Sequence, residues 1–451
     1  MKLDAQPPIV PGASHPGHAA HSAHSAHSAL RRRIALISDH ASPLAAPGSI
    51  DCGGQNVYVA HLARELALAG HLVDVFTRRD DARQRQLVRW RENLRVVNVP
   101  AGPAHYVPKE HMLPHITSFS RYTARFARHQ PVPYDIVHAN FFMSGMVARH
   151  LKQALGLPFV ITFHALGRVR RLAQGTADAF PPARTRIESG LMRYADRIIA
   201  ECQQDRHDME HLYGARGERI AIAPCGFDPD ELSPMPRAEA RAALALAPGR
   251  FTVLQLGRMV PRKGVDTVIE AVALLRAAYG IDAGLLVVGG DAQPGGRDGA
   301  ELARLRTLAH TLGIAGHVHF AGQQPRTALR LWYGAADVFA TTPWYEPFGI
   351  TPVEAMACAR PVVGADVGGI RSTVVDDATG FLVPPRDPQA LAARLARLQR
   401  EPARARAMGE AGLRRAYHHY TWRTVARQVA DIYAAVLADA RAPIAVSQPQ
   451  E

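Results

Sequence analysis

From residue 32 onward, apolar positions alternate between two rhythms. "RIALISD" is a short continuous apolar run, followed by a long loop and then "GGQNVYVAHLARELALAG". In that stretch Val59, Leu62, Ala63 and Leu66 recur at the i, i+3, i+4, i+7 spacing of an amphipathic helix. Gly70 is placed to cap it, and "HLVDVFT" reads as a second strand. Strand, helix, strand at this spacing is a βαβ unit. The alternation runs on through "LRVVNV", a helix over 113–129, "YDIVHAN", "PFVITFHA", "RIIAEC" and "IAIAPCG", with helical sequence between the later strands. These strands are apolar on both faces, as buried parallel strands must be. "FDPDELSPMP" (227–236) interrupts the pattern, which restarts with "FTVLQLG", a helix over 265–278, "GLLVVGG", "HVHFAG", "DVFATT" and "PVVGA". Two such α/β runs predict two Rossmann-like, doubly wound parallel-sheet domains facing a cleft, with ligands at the carboxyl ends of the strands. The expected division is a first domain over 31–226 and a second over 227–420. A last helix near 421–440 returns to the first domain, and tails occupy 1–30 and 441–451.

Composition narrows the partners. A chain of 451 residues, 47% hydrophobic, can bury two ordinary cores. Lys+Arg total 53 against 40 Asp+Glu, a net charge of +13, and the only lysines are Lys2, Lys109, Lys152 and Lys263. Such a balance suits phosphorylated small molecules or an anionic membrane face. The charge is spread over many helices with no base-reading module, so nucleic acid is not expected as a partner. The tract "HSAHSAHSA" (21–29) has metal-binding chemistry, yet its Ala/Ser/Gly/Pro surroundings read as a disordered tail. Cys52, Cys202, Cys225 and Cys358 lie far apart with no histidine at metal spacing, so no metal site is expected. Reduced thiols, no apolar run near ~20 residues and no leader pattern imply a cytoplasmic protein, with room for a peripheral membrane contact.

Four motifs sit just after predicted strands. In "GGQNVY", Gly53 and Gly54 let backbone N–H groups approach an anion at a helix start. In "GRMVPRKG", Arg258 and Lys263 stand five apart in one loop and can converge on a diphosphate. "PWYEPFGITPVEAMACARPVVG" (343–364) carries Glu346 and Glu354. Thr351-Pro352-Val353-Glu354 fits a capping box with proline first in the helix, which accounts for Glu354 alone. A ligand accounts for both carboxylates. Its phosphate would lie on the N–H groups of Phe348, Gly349 and Ile350, an exposed step, with Glu346 on sugar hydroxyls and Glu354 on a ribose. "TFHALGRVRR" places His164 at a strand end, followed by Arg168, Arg170 and Arg171.

In this order the motifs resemble the retaining nucleotide-sugar glycosyltransferases of family 4, whose architecture is GT-B. The resemblance extends from Arg32 to about Ala440 and is strongest toward enzymes making sucrose, sucrose phosphate and N-acetylglucosaminyl inositol phosphate. It implies that Gly53 and Gly54 lie beside donor phosphates and that His164 binds the donor sugar. Arg258 and Lys263 would neutralise the diphosphate, Glu346 would hold sugar hydroxyls and Glu354 the ribose. On the acceptor side it points to Gln55, Asn56, Lys109, Arg168, Arg171 and Arg184, although inositol-phosphate users carry Tyr and Thr where this chain has Phe141 and Ala165. The implied co-substrate is a UDP-sugar, with UDP-glucose favoured by subgroup likeness, and the implied acceptor is a small sugar or sugar phosphate. No cofactor is required, because fixed cations replace both metal and general acid. A nucleotide-sugar epimerase of the same architecture and a non-catalytic nucleotide-sugar-binding protein are the competing readings. The oligomeric state is not read from the sequence.

Overall fold

Runs of Val, Ile and Leu with no polar face can be satisfied only inside a sheet covered on both sides. In the computed structural model, which describes residues 31–45, 53–290 and 299–441, each of the predicted runs lies in such a sheet. The His-rich tract, Cys52 and residues 442–451 lie outside the described residues. The first sheet contains β1 (Arg33–Ile37), β2 (Leu72–Arg78), β3 (Leu87–Arg91), β4 (Leu94–Val99), β5 (Ile136–Asn140), β6 (Phe159–Thr162), β7 (Arg197–Ala200) and β8 (Ile220–Ile222). Its order is β3-β4-β2-β1-β5-β6-β7-β8. The second contains β9 (Phe251–Leu256), β10 (Ala283–Val288), β11 (Val318–Gly322), β12 (Val338–Thr341), β13 (Val362–Ala365) and β14 (Gly380–Val383), in the order β11-β10-β9-β12-β13-β14. Each order reverses direction once, between β1 and β5 and between β9 and β12, and such reversals open ligand crevices.

Two strands were not predicted. β3, "LVRWR", pairs antiparallel with β4 and alternates exposed with half-buried positions. It departs from the expected all-parallel sheet because it is an edge strand, guarded by arginines on its open side. β14 has only four residues, too few for a period to show.

From Arg32 onward the described residues cluster as one compact unit. The chain crosses between the sheets twice, and the crossings are zipped together. Phe227 N donates to Tyr420 O (2.8 Å) and Trp422 N donates to Phe227 O (3.0 Å). A Cβ on Gly226 would stand 2.8 Å from Tyr420 O, so only glycine fits beside the crossing. The Trp422–Arg441 helix then packs against the Gly54–Leu68 helix of the first sheet. Val425, Ala426, Val429 and Tyr433 share a core with Val59, Leu62, Ala63 and Leu66.

Tyr433 pins that helix to the sheet through fully buried His138. His138 Nδ1 lies 2.7 Å from Tyr433 Oη and Nε2 lies 2.9 Å from Thr162 Oγ1. Burial, and then the nearby His164, push the His138 pKa down to about 3. The unfolded chain therefore takes up a proton near pH 6.5 that the fold refuses until about pH 3. This part of the stability is complete above pH 6.5 and drains as pH falls, by about 2 kcal/mol at pH 5. Thermal melts between pH 7 and pH 5 should show a falling melting temperature, with a shallower slope in His138→Gln.

Candidate functional site

Two helix starts meet in the crevice between the sheets. The first sheet supplies Gly54, opening the Gly54–Leu68 helix; the second supplies Ile350, opening the Ile350–Ala357 helix. A Cβ on Gly54 would sit 3.6 Å from Ile350 Cδ1. Neither start has a side-chain hydroxyl or carboxylate cap: Gly53 and Gly349 stand at the cap positions. The N–H groups of both helix starts, without acceptors among the described residues, and the dipoles of both helices thus point into one space, which favours an anion. Asn56 supports the first start by accepting from Gly53 N (3.0 Å) and donating to Ser42 O (3.0 Å). Gln55 Nε2 donates to Ser38 Oγ and Asn140 O, each at 3.3 Å.

The cations come from the turn after β9. Lys263 ends the Pro261–Lys263 turn, and Gly264 follows with φ +64. A Cβ on Gly264 would lie 2.0 Å from Thr342 O, so glycine is required for the two loops to close. Thr342 Oγ1 donates to Gly264 O (2.7 Å) and Trp344 N to Arg262 O (2.9 Å). This stitching sets Lys263 in an ion pair with Glu346. Burial lowers the Lys263 pKa, against the pull of Glu346. Burial pushes Glu346 up, but Lys263, Arg262 and Arg258 outweigh it and hold the carboxyl below its ordinary range. Arg258 is exposed and close enough for its charge to act on both partners. A glycine pair missed in the sequence completes the loop. Gly369 N donates to Glu346 O (3.0 Å), and a Cβ on Gly368 would stand 1.8 Å from that oxygen.

His164 faces this loop from β6. It is a non-glycine residue at φ +57, a strained conformation kept by its partners. Its Nδ1 lies 2.8 Å from Glu201 Oε1 and its Nε2 3.0 Å from Asn140 Oδ1, with the ring edge-on to Tyr58. The Cys225 thiol donates to the same Glu201 oxygen (3.1 Å), and the neighbouring Cys202 thiol donates to Pro347 O (3.2 Å). The support of His164 therefore touches the residue after Glu346. Glu201 carried no signal in the sequence beyond its position at a strand end. A cavity of about 270 Å³ opens here, lined among others by Leu166, Val169, Asp205, Tyr345 and Glu346.

The structure removes the capping box read for Glu354. The helix begins at Ile350, so Thr351 and Pro352 are already inside it and no capping box forms. Gly349, at φ +87, ends the loop earlier than threonine would. Glu354 falls in the second turn, 2% exposed, bonded to Arg326 Nη1 and Tyr333 Oη, each at 3.0 Å. Phe348 is not exposed as expected: it is buried against Tyr420. Among the acceptor-side candidates, Lys109 lies 3.7 Å from Glu110 in a short turn, and Arg171 is exposed. Arg168 bonds Leu212 O and lies over the Tyr213 ring. Arg184 is 2% exposed, 2.7 Å from Glu188 Oε1, and enclosed by Phe141, Phe142 and Phe180.

Comparison with known proteins gives two family matches: "Glycosyltransferase Family 4" over residues 52–231 and "Glycosyl transferases group 1" over residues 236–415. The chain is 36% identical over 416 residues to D-inositol 3-phosphate glycosyltransferase 2 of Catenulispora acidiphila, covering 92% of this chain and 97% of that protein. Among solved structures, sucrose-phosphate synthase from Thermosynechococcus elongatus superposes with a TM-score of 0.83 at 33% identity, covering 91% of this chain and 100% of that one. Anabaena HepE in complex with UDP-glucose has a TM-score of 0.69 at 20% identity, covering 90% and 100%, and shares the fold.

Removing one member of a buried ion pair leaves the other uncompensated, at a cost of about 3 kcal/mol. Lys263→Ala and Glu346→Gln should each lose stability on that scale in urea unfolding. The double variant should lose at least ~1 kcal/mol less than the sum of the two, the signature of direct coupling.

Proposed function

The chain belongs to the family 4 glycosyltransferases of GT-B architecture and is a hexosyltransferase; from that premise we propose that it moves glucose, or a closely related hexose, from a UDP-sugar to a hydroxyl of a small sugar or sugar phosphate with retention of configuration. Family membership sets aside the epimerase and non-catalytic alternatives. The observation that carries the proposal is the meeting of two uncapped helix starts beside the Lys263–Glu346 pair. In this reading the diphosphate lies on the helix N–H groups of Gly54 and Ile350, with Lys263 and Arg258 as counter-charges. Glu346 and His164 hold the hexose from opposite sides, and Glu354 holds the ribose. HepE, which shares the fold, was solved with UDP-glucose, one relative is named for inositol 3-phosphate and another for making sucrose phosphate; these names support the choice of substrates. No described helix is long and apolar enough to cross a membrane.

The chemistry follows from the leaving group. Glycosyl transfer passes through an oxocarbenium-like state, and a poor leaving group needs an acid. A nucleoside diphosphate leaves once its charge is neutralised, so preorganised N–H dipoles and cations take the acid's place. Glu346 is spent on Lys263 and on positioning, so the acceptor attacks from the leaving-group face. A donor phosphate oxygen takes the acceptor's proton, with no protein nucleophile. Closure of the cleft excludes water and suppresses hydrolysis.

UDP release from UDP-glucose, measured with fructose 6-phosphate, fructose and inositol phosphate in turn, should rise with one of them and give an α-linked product. A β-linked product, or no UDP binding, overturns the proposal. Glu346→Gln should lower kcat by about 100-fold and change UDP affinity far less, because the carboxylate acts on the sugar directly and on the nucleotide only through Lys263. Equal losses in both measurements would remove its role.

A further inference from the structure

One arginine that the sequence did not single out links the donor side of the cleft to the crossing between the sheets. Arg326 begins the Arg326–Ala328 turn after β11. Its Nη1 lies 3.0 Å from Glu354 Oε1, and its Nε bonds Glu231 in the 227–236 linker. Its Nη2 is buried and has no hydrogen-bond partner among the described residues. On the other side of Glu354, Tyr333 Oη is 3.0 Å from Oε2. Burial, and then Glu354 itself, raise the Tyr333 pKa well above its ordinary value, so the phenol stays a donor. Resting on the reading above, we infer that Arg326 is the positioning residue that presents Glu354 to the donor's ribose and couples that contact to the interdomain linker.

The physical case has three parts. A carboxylate 2% exposed needs a counter-charge and directional donors to stay in place, and Arg326 with Tyr333 supplies both. Each carboxylate oxygen keeps a second lone pair, enough to accept the two O–H groups of a vicinal diol. Nη2, without a partner among the described residues, belongs to the same guanidinium that holds Glu354 and keeps its donors in reserve.

The linker end is equally specific. Three residues before Glu231, Asp228 is held by Arg64 of the Gly54–Leu68 helix, the helix whose start faces the diphosphate space. His61 from the same helix sits between the two acids, 3.7 Å from Asp228 and 3.8 Å from Glu231, stacked on Trp422. His61, Asp228 and Glu231 are close enough to share a metal ion. Yet burial, then the charges of Arg326 and Arg64, lower the His61 pKa to about 3, and each acid already holds a guanidinium. Two cations occupy the place a metal would take, so the cluster is a latch. A ligand that engages Glu354 pulls on Arg326, and through Glu231 on the linker that sets the cleft.

The test compares calorimetric binding of UDP and 2′,3′-dideoxy-UDP to the wild type, Arg326→Gln and Arg326→Lys. Two hydroxyl bonds to a carboxylate predict that the wild type prefers UDP by at least about tenfold. The preference should fall to about threefold or less in Arg326→Gln, and also in Arg326→Lys, whose single amine cannot span both carboxylates. A purely structural arginine would lower the melting temperature and leave the preference intact, and that result overturns the inference. The same holds for a wild type that binds both nucleotides equally. A wild type that binds UDP not at all overturns the donor assignment itself. Lysine serves as the second variant if the glutamine form does not fold.

Discussion

A lysine and a glutamate set against each other by two loops order one wall of the cleft. Neither could be held there alone, because each is largely buried and each charge needs the other. Around the pair, three glycines are dictated by backbone approach. Gly264 lets the cation loop close on Thr342, and Gly368 and Gly369 let the next helix pass under the glutamate. The pair stands beside an uncapped helix start, so the same small region offers fixed positive charge, N–H donors and a carboxylate. That combination suits a charged leaving group attached to a polyhydroxylated ring.

The opposite wall is built by different means. His164 has a strained backbone, and its ring is clasped by Glu201 and Asn140. Cys202 and Cys225, both buried, act as weak hydrogen-bond donors between that clasp and the far loop. Contacts from the two sheets thus interleave between His164 and the Glu346 loop, which makes the spacing across the cleft part of the candidate site. The Arg64–Asp228 and Arg326–Glu231 pairs hold the same spacing from behind.

Most of the fold was legible because parallel strands buried on both faces leave an unbroken apolar record. The exceptions fall where that record fails: β3 shows one face to solvent, and β14 is too short. The candidate site could be read where chemistry crowds into a few residues: the fold brings Arg258, Lys263 and Glu346 together, as their motifs suggested. It was not legible where meaning depends on a distant partner. Arg326 is one cation among 53 lysines and arginines, and only the fold places it between Glu231 and Glu354. Gly368 and Gly369 look like an ordinary turn until Glu346 and Phe348 are seen pressed against them. The supposed capping box failed for a local reason, since the positive φ of Gly349 started the helix early.

The return of the final helix to the first sheet has a consequence for biosynthesis. While the chain leaves the ribosome, the flank of the Gly54–Leu68 helix that meets the last helix stays open until Trp422 to Val436 have been made. Domains commonly fold in order as they emerge. Here the first must wait, sticky and incomplete, for the last segment translated. A nascent polypeptide of this design keeps that flank open throughout its synthesis, and a premature stop codon even late in the message would leave both lobes present but unsealed.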